Sequence, residues 1–390
     1  MMKHIIFVLP NLRMGGAEKA LVSLLKTIDP KRVNIDLFLF ETGGVLQKEV
    51  PSYVRIIGAD DITRAMTLEM RKYFKDLIKK GKISAAMSRL KMTLMSKQGK
   101  DFFGWDIIKK HIPQLAGQYD VAIGFLEGFS DFFVIDKIEA KRKIGWIHID
   151  MTGRTPTFEE SKYYEQFDQI VTISEVCKKA FLNVFPRIRG KIDIIENIVL
   201  PEDIILKADE NVDMNWDKGK WNFVSVGRLD YQKGFDIGAK AALILKEKQR
   251  DFCWHVYGTG VMKNEILDFV KENKLENSFV LEGLRTNPYP YMKSADIIVQ
   301  PSRWEGKSLV LDEAKILGKA IVVTAYPSVT DQIADRKTGI IVETTPEAIA
   351  EGIELLMTDT RLKSDLEDNC RRELNQSGRM VDQFYRLADI

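Results

Sequence analysis

Short apolar runs, each closed by a glycine- or proline-bearing turn and followed by apolar positions at helical spacing, recur along the chain. The first is residues 3–9, KHIIFVL, which reads as a buried parallel strand. After the loop 10–16, residues Ala20, Leu21, Leu24, Leu25 and Ile28 repeat with a helical period. Further strands are expected at 34–40, 54–57, 121–125, 143–147, 170–173 and 192–195, with a helix after Ser174. Residues 201–220 carry Pro201, mixed charges and no period, and read as a linker. The alternation then restarts. Strands are expected at 221–226, 254–257, 279–281, 297–299, 320–323 and 339–342, and helices open near Phe235, Met262 and Tyr289. Strand–helix alternation twice over predicts an α/β chain of two Rossmann-like domains facing a cleft. The first spans residues 1–200 with a helical excursion at about 66–115, the second spans 221–375, and a last helix lies within 376–390.

Composition narrows the class. A length of 390 residues suits two domains, and 45% apolar with 29% charged residues is a globular balance. The net charge of +2 argues against a nucleic-acid partner. Cys177, Cys253 and Cys370 are scattered and odd in number, which points to a reducing cytoplasm rather than disulfides or zinc. The apolar run at residues 5–9 is too short for a signal peptide or a membrane span. A cytoplasmic protein is expected.

Candidate chemistry concentrates at residues 297–318, IIVQPSRWEGKSLVLDEAKILG. A buried strand ends at Pro301 and Ser302, Glu305 and Gly306 make a turn, and Ser308 is placed to cap a helix. Such a sequence belongs at the carboxyl edge of a parallel sheet, where ligands dock. Glu305 then sits on the loop and Glu313 about one and a half turns into the helix. One carboxylate can hold one end of an elongated ligand and the other a second, with the helix amides of Leu309 and Val310 facing a phosphate between them. Taken alone, two glutamates at this spacing are equally a solvated loop residue and a helix-surface residue.

Other loops add cations and glycines. After the strand at 221–226 comes Gly227-Arg228-Leu229-Asp230-Tyr231-Gln232-Lys233-Gly234. An arginine fork and a lysine point charge on one loop suit a pyrophosphate and the charge it gains on leaving. Gly258 lies on the loop after the next strand, and Gly283-Leu284-Arg285 on the one after that. In the first half, Gly15 and Gly16 open the first helix, where a ligand can approach backbone amides closely. The loop is not G-x-G-x-x-G, which disfavours a dinucleotide oxidoreductase. His148 falls at the end of the strand at 143–147, where a structural histidine bonded to backbone is the plain alternative. His148-x-Asp150 lacks a third metal ligand, and no Asp-x-Asp follows an apolar strand, so no metal site is expected.

With these residues in place the chain resembles the retaining GT-B glycosyltransferases of family 4, the glycosyl transferases group 1 of bacterial polysaccharide biosynthesis. The likeness rests on Glu305-x7-Glu313, on Arg228 and Lys233, on MGGAEKA at residues 14–20, and on Glu196-Asn197-Ile198. It is strongest over residues 221–343 and weakest at 60–118. The resemblance implies a nucleotide-sugar donor, a UDP-sugar, bound as a substrate with no cofactor, and a saccharide or lipid-linked saccharide acceptor. It implies that Arg228 and Lys233 hold the diphosphate, Glu313 the ribose hydroxyls and Glu305 the sugar hydroxyls. Gly227, Gly258, Leu284, Gly306, Ser308, Leu309 and Val310 would line the donor site. His148, Gly15 and Gly16 would line the reacting centre. It implies retention by a front-face route, metal-independent, and a last helix that crosses back onto the first domain. Many relatives have Glu-Gly-Phe-Gly where this chain has Glu305-Gly306-Lys307-Ser308, so Lys307 either brings charge near the donor or points outward. A nucleotide-sugar 2-epimerase and a non-catalytic nucleotide-sugar or glycan-binding module remain alternatives on the same fold.

One stretch calls for a different partner. Residues 71–110 hold twelve Lys or Arg against three Asp. Interleaved are Tyr73, Phe74, Leu77, Ile78, Ile83, Met87, Leu90, Met92, Leu94, Met95, Phe102, Phe103 and Trp105. A basic helix pair with exposed aromatics fits an anionic membrane surface, and equally an amphipathic excursion packed on its own domain. The first reading places the protein at the inner face of the cell membrane.

Overall fold

A computed structural model of the chain describes residues 2–67, 70–96, 101–152, 154, 158–373 and 377–390. The chain divides into two units, one of Met1–Ile198 with Gly378–Ile390 and one of Val199–Ser377.

The first unit is built on β1 (Lys3–Leu9), β2 (Val33–Leu39), β3 (Val54–Gly58), β4 (Gln118–Gly124), β5 (Glu139–Ile147), β6 (Gln169–Thr172) and β7 (Ile192–Ile194). They form one sheet in the order β3-β2-β1-β4-β5-β6-β7, every pair parallel. A parallel strand covered on both faces needs apolar residues at every position. β1 meets that need: Ile5, Ile6, Phe7, Val8 and Leu9 have no exposed surface. From β1 the chain steps outward to β2 and β3, then returns to the other side of β1 with β4. The loops leaving β1 and β4 therefore flank a topological switch point.

Helix Ser377–Leu387 belongs to this unit. Phe384 stacks on Phe7 with ring centroids 5.9 Å apart, Asp29 N–H donates to the Tyr385 hydroxyl at 2.8 Å, and the Arg32 guanidinium lies 3.9 Å from the Tyr385 ring centre. Between β3 and β4 the chain makes helices Asp61–Thr67, Met70–Lys79, Ile83–Ser96 and Asp101–Ile108. The expected exposed aromatics are a correction here. Trp105 is fully buried and its Nε1–H donates to Asp136 at 2.7 Å, while Phe74 packs against the core. Leu77 and Met92 are also inside. Aliphatic side chains face out instead: Ile78, Ile83, Met87, Leu90 and Leu94 are each at least 43% exposed. The side chains of Tyr73, Met95, Phe102 and Phe103 lie outside the described residues.

The second unit holds β8 (Trp221–Val226), β9 (Phe252–Tyr257), β10 (Phe279–Gly283), β11 (Ile297–Gln300), β12 (Ile321–Thr324) and β13 (Ile340–Val342). Its order is β10-β9-β8-β11-β12-β13, again all parallel. The reversal falls between β8 and β11. One core cluster contains Phe223, Phe235, Trp254 and Leu356, another Val224, Ile298, Leu311 and Ile321. Neighbouring positions on β8 and β11 thus point into different clusters, as strand geometry requires. Each large side chain so buried contributes about 1.5–3 kcal/mol.

Residues 201–220 are not a linker. Pro201–Ala208 is a helix of the second unit that buries Ile204 and Ala208. Pro201 in its first turn, Glu202 and Asp203 beside it and Lys207 in the last turn are ordinary helix signals. The Asn287 side-chain amide donates to Lys207 O at 2.7 Å and so satisfies a terminal carbonyl. Trp216, beyond the helix, stacks on His255 with centroids 4.3 Å apart.

Candidate functional site

The loops after β8 and β11 stand side by side because their strands are neighbours, and they carry Arg228, Lys233 and Glu305. Glu305 is 5% exposed. Its Oε1 accepts from Lys233 Nζ at 2.6 Å, Ser302 Oγ at 2.7 Å and Gln300 Nε2 at 3.1 Å. Gln232 Nε2 reaches its Oε2 at 3.3 Å. The loop backbone is pinned as well: Ser328 Oγ donates to Glu305 O at 2.7 Å, and Thr324 Oγ1 donates to Gln300 O at 3.3 Å. A carboxylate held by four donors on a fastened loop is preorganised.

Gln232 links this cluster to Arg228, whose Nη2 lies 3.5 Å from Gln232 Oε1 and 3.3 Å from Asp230 Oδ2. The Arg228 side chain is 68% exposed and keeps most of its guanidinium open to an anion. Asp230 caps the turn by accepting from Lys233 N–H at 3.1 Å. Gly234 closes it at φ 66°, and a Cβ there would collide with Pro301 O, so the two loops touch through backbone. Gly227 and Gly258 meet in the same manner, Gly258 packing directly on Gly227 O. Beneath, Arg303 clamps Asp236 with contacts of 2.8 and 2.6 Å. Burial works against the Asp236 carboxylate, but the hydrogen bond and charge of Arg303 outweigh it and hold the group below its ordinary range.

Helix Leu309–Ile316 starts where expected. Ser308 occupies the cap position, yet its hydroxyl makes no capping bond. Gln332 fastens the cap residue itself, its Oε1 accepting from Ser308 N–H and its Nε2 donating to Ser308 O, both at 2.8 Å. Gly306 and Leu309 are buried and Val310 half-buried. Glu313 is inside the fold, 1% exposed, with Oε1 accepting from the Tyr289 hydroxyl at 2.9 Å. The structure thus joins Arg228, Lys233 and Glu305 into one network and gives Glu313 a separate partner. Lys307 does not point outward: its side chain is 10% exposed and Nζ lies 4.0 Å from Asp312 Oδ2. Leu284 follows β10 at the edge of the sheet and is 51% exposed.

In the first unit, Gly15 is the residue before helix Gly16–Thr27, and the Glu18 carboxyl folds back over it. His148 follows β5 directly. Its backbone N–H donates to Glu127 Oε2 at 3.0 Å, and both ring nitrogens are shielded without a partner among the described residues. Burial pushes its imidazole down to about 3, so the ring is neutral at physiological pH. β4 runs between the strands that present Gly15 and His148. Gln300, Ser302, Gln332, Tyr289 and Glu127 carry no local motif. Gln332, Tyr289 and Glu127 meet their partners across 24, 24 and 21 positions, whereas Gln300 and Ser302 reach Glu305 within one loop.

Solved structures with this architecture span the whole chain. HepE of Anabaena in complex with UDP-glucose matches with a TM-score of 0.70 over 100% of both chains, at 15% identity. A variant of TarM from S. aureus, in complex with fondaparinux, alpha-GlcNAc-glycerol and UDP, matches with a TM-score of 0.70 over 100% of both chains, at 14% identity. The fold is GT-B. Within this GT-B chain, residues 207–373 match the family model described as glycosyl transferases group 1. The N-acetylgalactosamine-N,N'-diacetylbacillosaminyl-diphospho-undecaprenol 4-alpha-N-acetylgalactosaminyltransferase of Campylobacter jejuni is 30% identical over 54% of this chain and 56% of its own length. The GT-B chain thus spans about half the length of the curated relatives it matches. Among the described residues, no helix is long and apolar enough to cross a membrane.

Proposed function

We propose that the protein is a glycosyltransferase that moves a sugar from a UDP-sugar donor to a saccharide or lipid-linked saccharide acceptor in surface polysaccharide synthesis. The observation that carries this reading is the Arg228–Gln232–Glu305–Lys233 network on the two loops at the second unit's switch point. Open-sheet folds bind ligands there, and the network offers two cations to a diphosphate beside a carboxylate for hydroxyls. The match of residues 207–373 to glycosyl transferases group 1 supports it, as do neighbours of the same fold that hold UDP and UDP-glucose.

In this mechanism Arg228 and Lys233 neutralise the diphosphate and stabilise it as it leaves. Lys233 already bonds Glu305, so a bound diphosphate shares or takes over that lysine. Glu305, still held by Ser302 and Gln300, then offers its remaining acceptor capacity to sugar hydroxyls, and the amides of Leu309 and Val310 face the phosphates. Transfer proceeds with retention and without a metal ion, the departing phosphate oxygen accepting the acceptor proton.

Thermal stabilisation across UDP, GDP and a panel of their sugars tests the reading, on wild type and on Arg228→Ala. A ligand of the native state at a hundred times its Kd stabilises by about 2.7 kcal/mol. A UDP-sugar should raise Tm in the wild type and lose most of that shift in the variant. No shift at millimolar concentration would count against the donor site. Transfer to an acceptor, with the product anomer read by NMR, separates this activity from epimerisation and from binding alone.

The helical excursion adds a proposed partner. Ile78, Ile83, Met87, Leu90 and Leu94 are exposed on helices that also carry Lys75, Lys79 and Lys91, with Lys80 and Lys82 in the turn between them. Apolar side chains among lysines fit the surface of an anionic bilayer. Flotation with phosphatidylglycerol vesicles should capture the wild type, and Ile83→Ser with Met87→Ser should lower capture at least threefold. Equal capture by phosphatidylcholine vesicles would remove the electrostatic part of the proposal.

A further inference from the structure

The loop after β4 is the second loop at the first unit's switch point, and its polar side chain is Glu127. Beyond the Glu127–His148 bond, the position is built at some cost to the sheet. Asp131, in the first turn of helix Phe129–Lys137, has no exposed surface, and neither of its carboxyl oxygens has a partner among the described residues. Gly124 on β4 makes room for it, since a Cβ there would collide with Asp131 Oδ1; its register partner Gly145 on β5 would with a Cβ crowd Ile170 and only touch Asp131. Paired glycines inside adjacent strands weaken a sheet unless something must come close. On the far side, Phe125 and Trp146 pack against the His148 ring with centroids 4.8 and 6.3 Å away. Arg154, paired with Glu160 at 2.7 Å, and Tyr164 are the remaining charged and titratable groups facing the pair.

We propose that Glu127 is a positioning residue for His148. Its carboxyl, accepting the His148 N–H, fixes the chain where β5 ends and so keeps the imidazole in its shielded place, with Asp131 as the neighbouring carboxyl whose charge competes with its own. An uncharged imidazole can donate or accept toward a hydroxyl and does not hold a phosphate by charge. A role at a sugar hydroxyl rests on the glycosyl-transfer reading above, whereas the positioning of His148 does not. Electrostatics agree with the geometry. Burial raises the Glu127 carboxyl against the pull of its backbone bonds and Arg154, and burial followed by Glu127 itself raises Asp131. Two carboxyls so placed do not both ionise readily.

The chain has four histidines, so 15N-histidine labelling gives a readable imidazole spectrum, with His148→Gln assigning the resonance. Wild type and Glu127→Gln, whose amide oxygen can still accept the His148 N–H, should show a neutral His148 from pH 5 to 8. Glu127→Ala should bring the titration toward the free-histidine value of about 6.5. His148 unchanged in a folded Glu127→Ala protein would overturn the proposal, as would Glu127→Gln titrating like Glu127→Ala. This readout needs no turnover, so it stands apart from the fate of the glycosyltransferase reading. With UDP-glucose as donor, a Glu127→Ala loss of at least tenfold in kcat with donor KM within threefold would carry the positioning into the reaction. Equal kcat in both would confine Glu127 to the fold and reject that extension.

Discussion

Lys233 and Glu305 are each largely buried, 15% and 7% exposed at the side chain, and each is the other's counter-charge. Removing one partner of such a pair leaves an uncompensated charge, which costs more than the pair itself contributes. Glu305→Ala should therefore destabilise the second unit by about 2–3 kcal/mol, and Glu305→Gln by about 1 kcal/mol because Ser302 and Lys233 keep an acceptor. Urea unfolding of both variants measures this, and a cost below about 0.5 kcal/mol for Glu305→Ala would mean the pair is open to solvent. Glu313 presents a different case. Its bond to Tyr289 makes the tyrosine compete for Glu313 with the ribose hydroxyls that the resemblance would place there. Tyr289→Phe should keep UDP affinity within threefold of wild type or raise it, while Glu313→Gln should lower it at least tenfold by calorimetric titration. An equal loss in both would transfer the role to the tyrosine.

At the scale of elements, strands were legible and their consequences were only partly so. Covered parallel strands must be apolar throughout, so β1 and β11 announce themselves in KHIIFVL and IIVQ. Helix Pro201–Ala208 was hidden because one buried stripe, Ile204 and Ala208, is too short to show a period beside Pro201 and its charges. Ile204→Ala distinguishes the two pictures: a packed helix loses about 2–4 kcal/mol, a linker almost nothing. The site divided along the same line. Arg228, Lys233 and Glu305 sit in local patterns that chemistry makes recognisable, whereas Gln332 and Tyr289 act across 24 positions each and leave no local trace. Helix Phe129–Lys137 carries a pH effect. The Asp131 carboxyl, raised first by burial and then by Glu127, stays protonated in the fold above the unfolded value of about 3.9. Its contribution is complete below that value and is lost as pH rises toward the folded one. Asp131→Asn should thus gain in Tm relative to wild type between pH 5 and 8. A constant difference across that range would show that Asp131 titrates normally.

For the whole molecule, the division into units sets what a change can reach. Gly378–Ile390 belongs to the first unit although Val199–Ser377 precedes it in the chain. Deleting those residues strips Phe384 from Phe7 and Tyr385 from Asp29 and Arg32, and should lower the melting of the first unit. UDP-induced stabilisation, proposed to rest on Arg228 and Lys233 of the second unit, should survive the deletion. Its disappearance would show that the second unit depends on that helix. Two α/β units and their boundaries near residue 200 are legible from alternation alone. The strand order that makes loops into sites is not, since a parallel strand reads the same at either side of its neighbour.

The return of the last helix has a consequence for how the protein is made. A ribosome delivers β1 through β7 first, but the aromatic cover for Phe7 emerges only after the entire second unit. Vectorial folding ordinarily completes the leading domain before the trailing one begins, whereas here the last contacts of the leading unit come after the trailing unit. The trailing unit can close as soon as its own strands are out, while Phe7 in the leading one stays without its Phe384 cover until residues 378–390 have emerged.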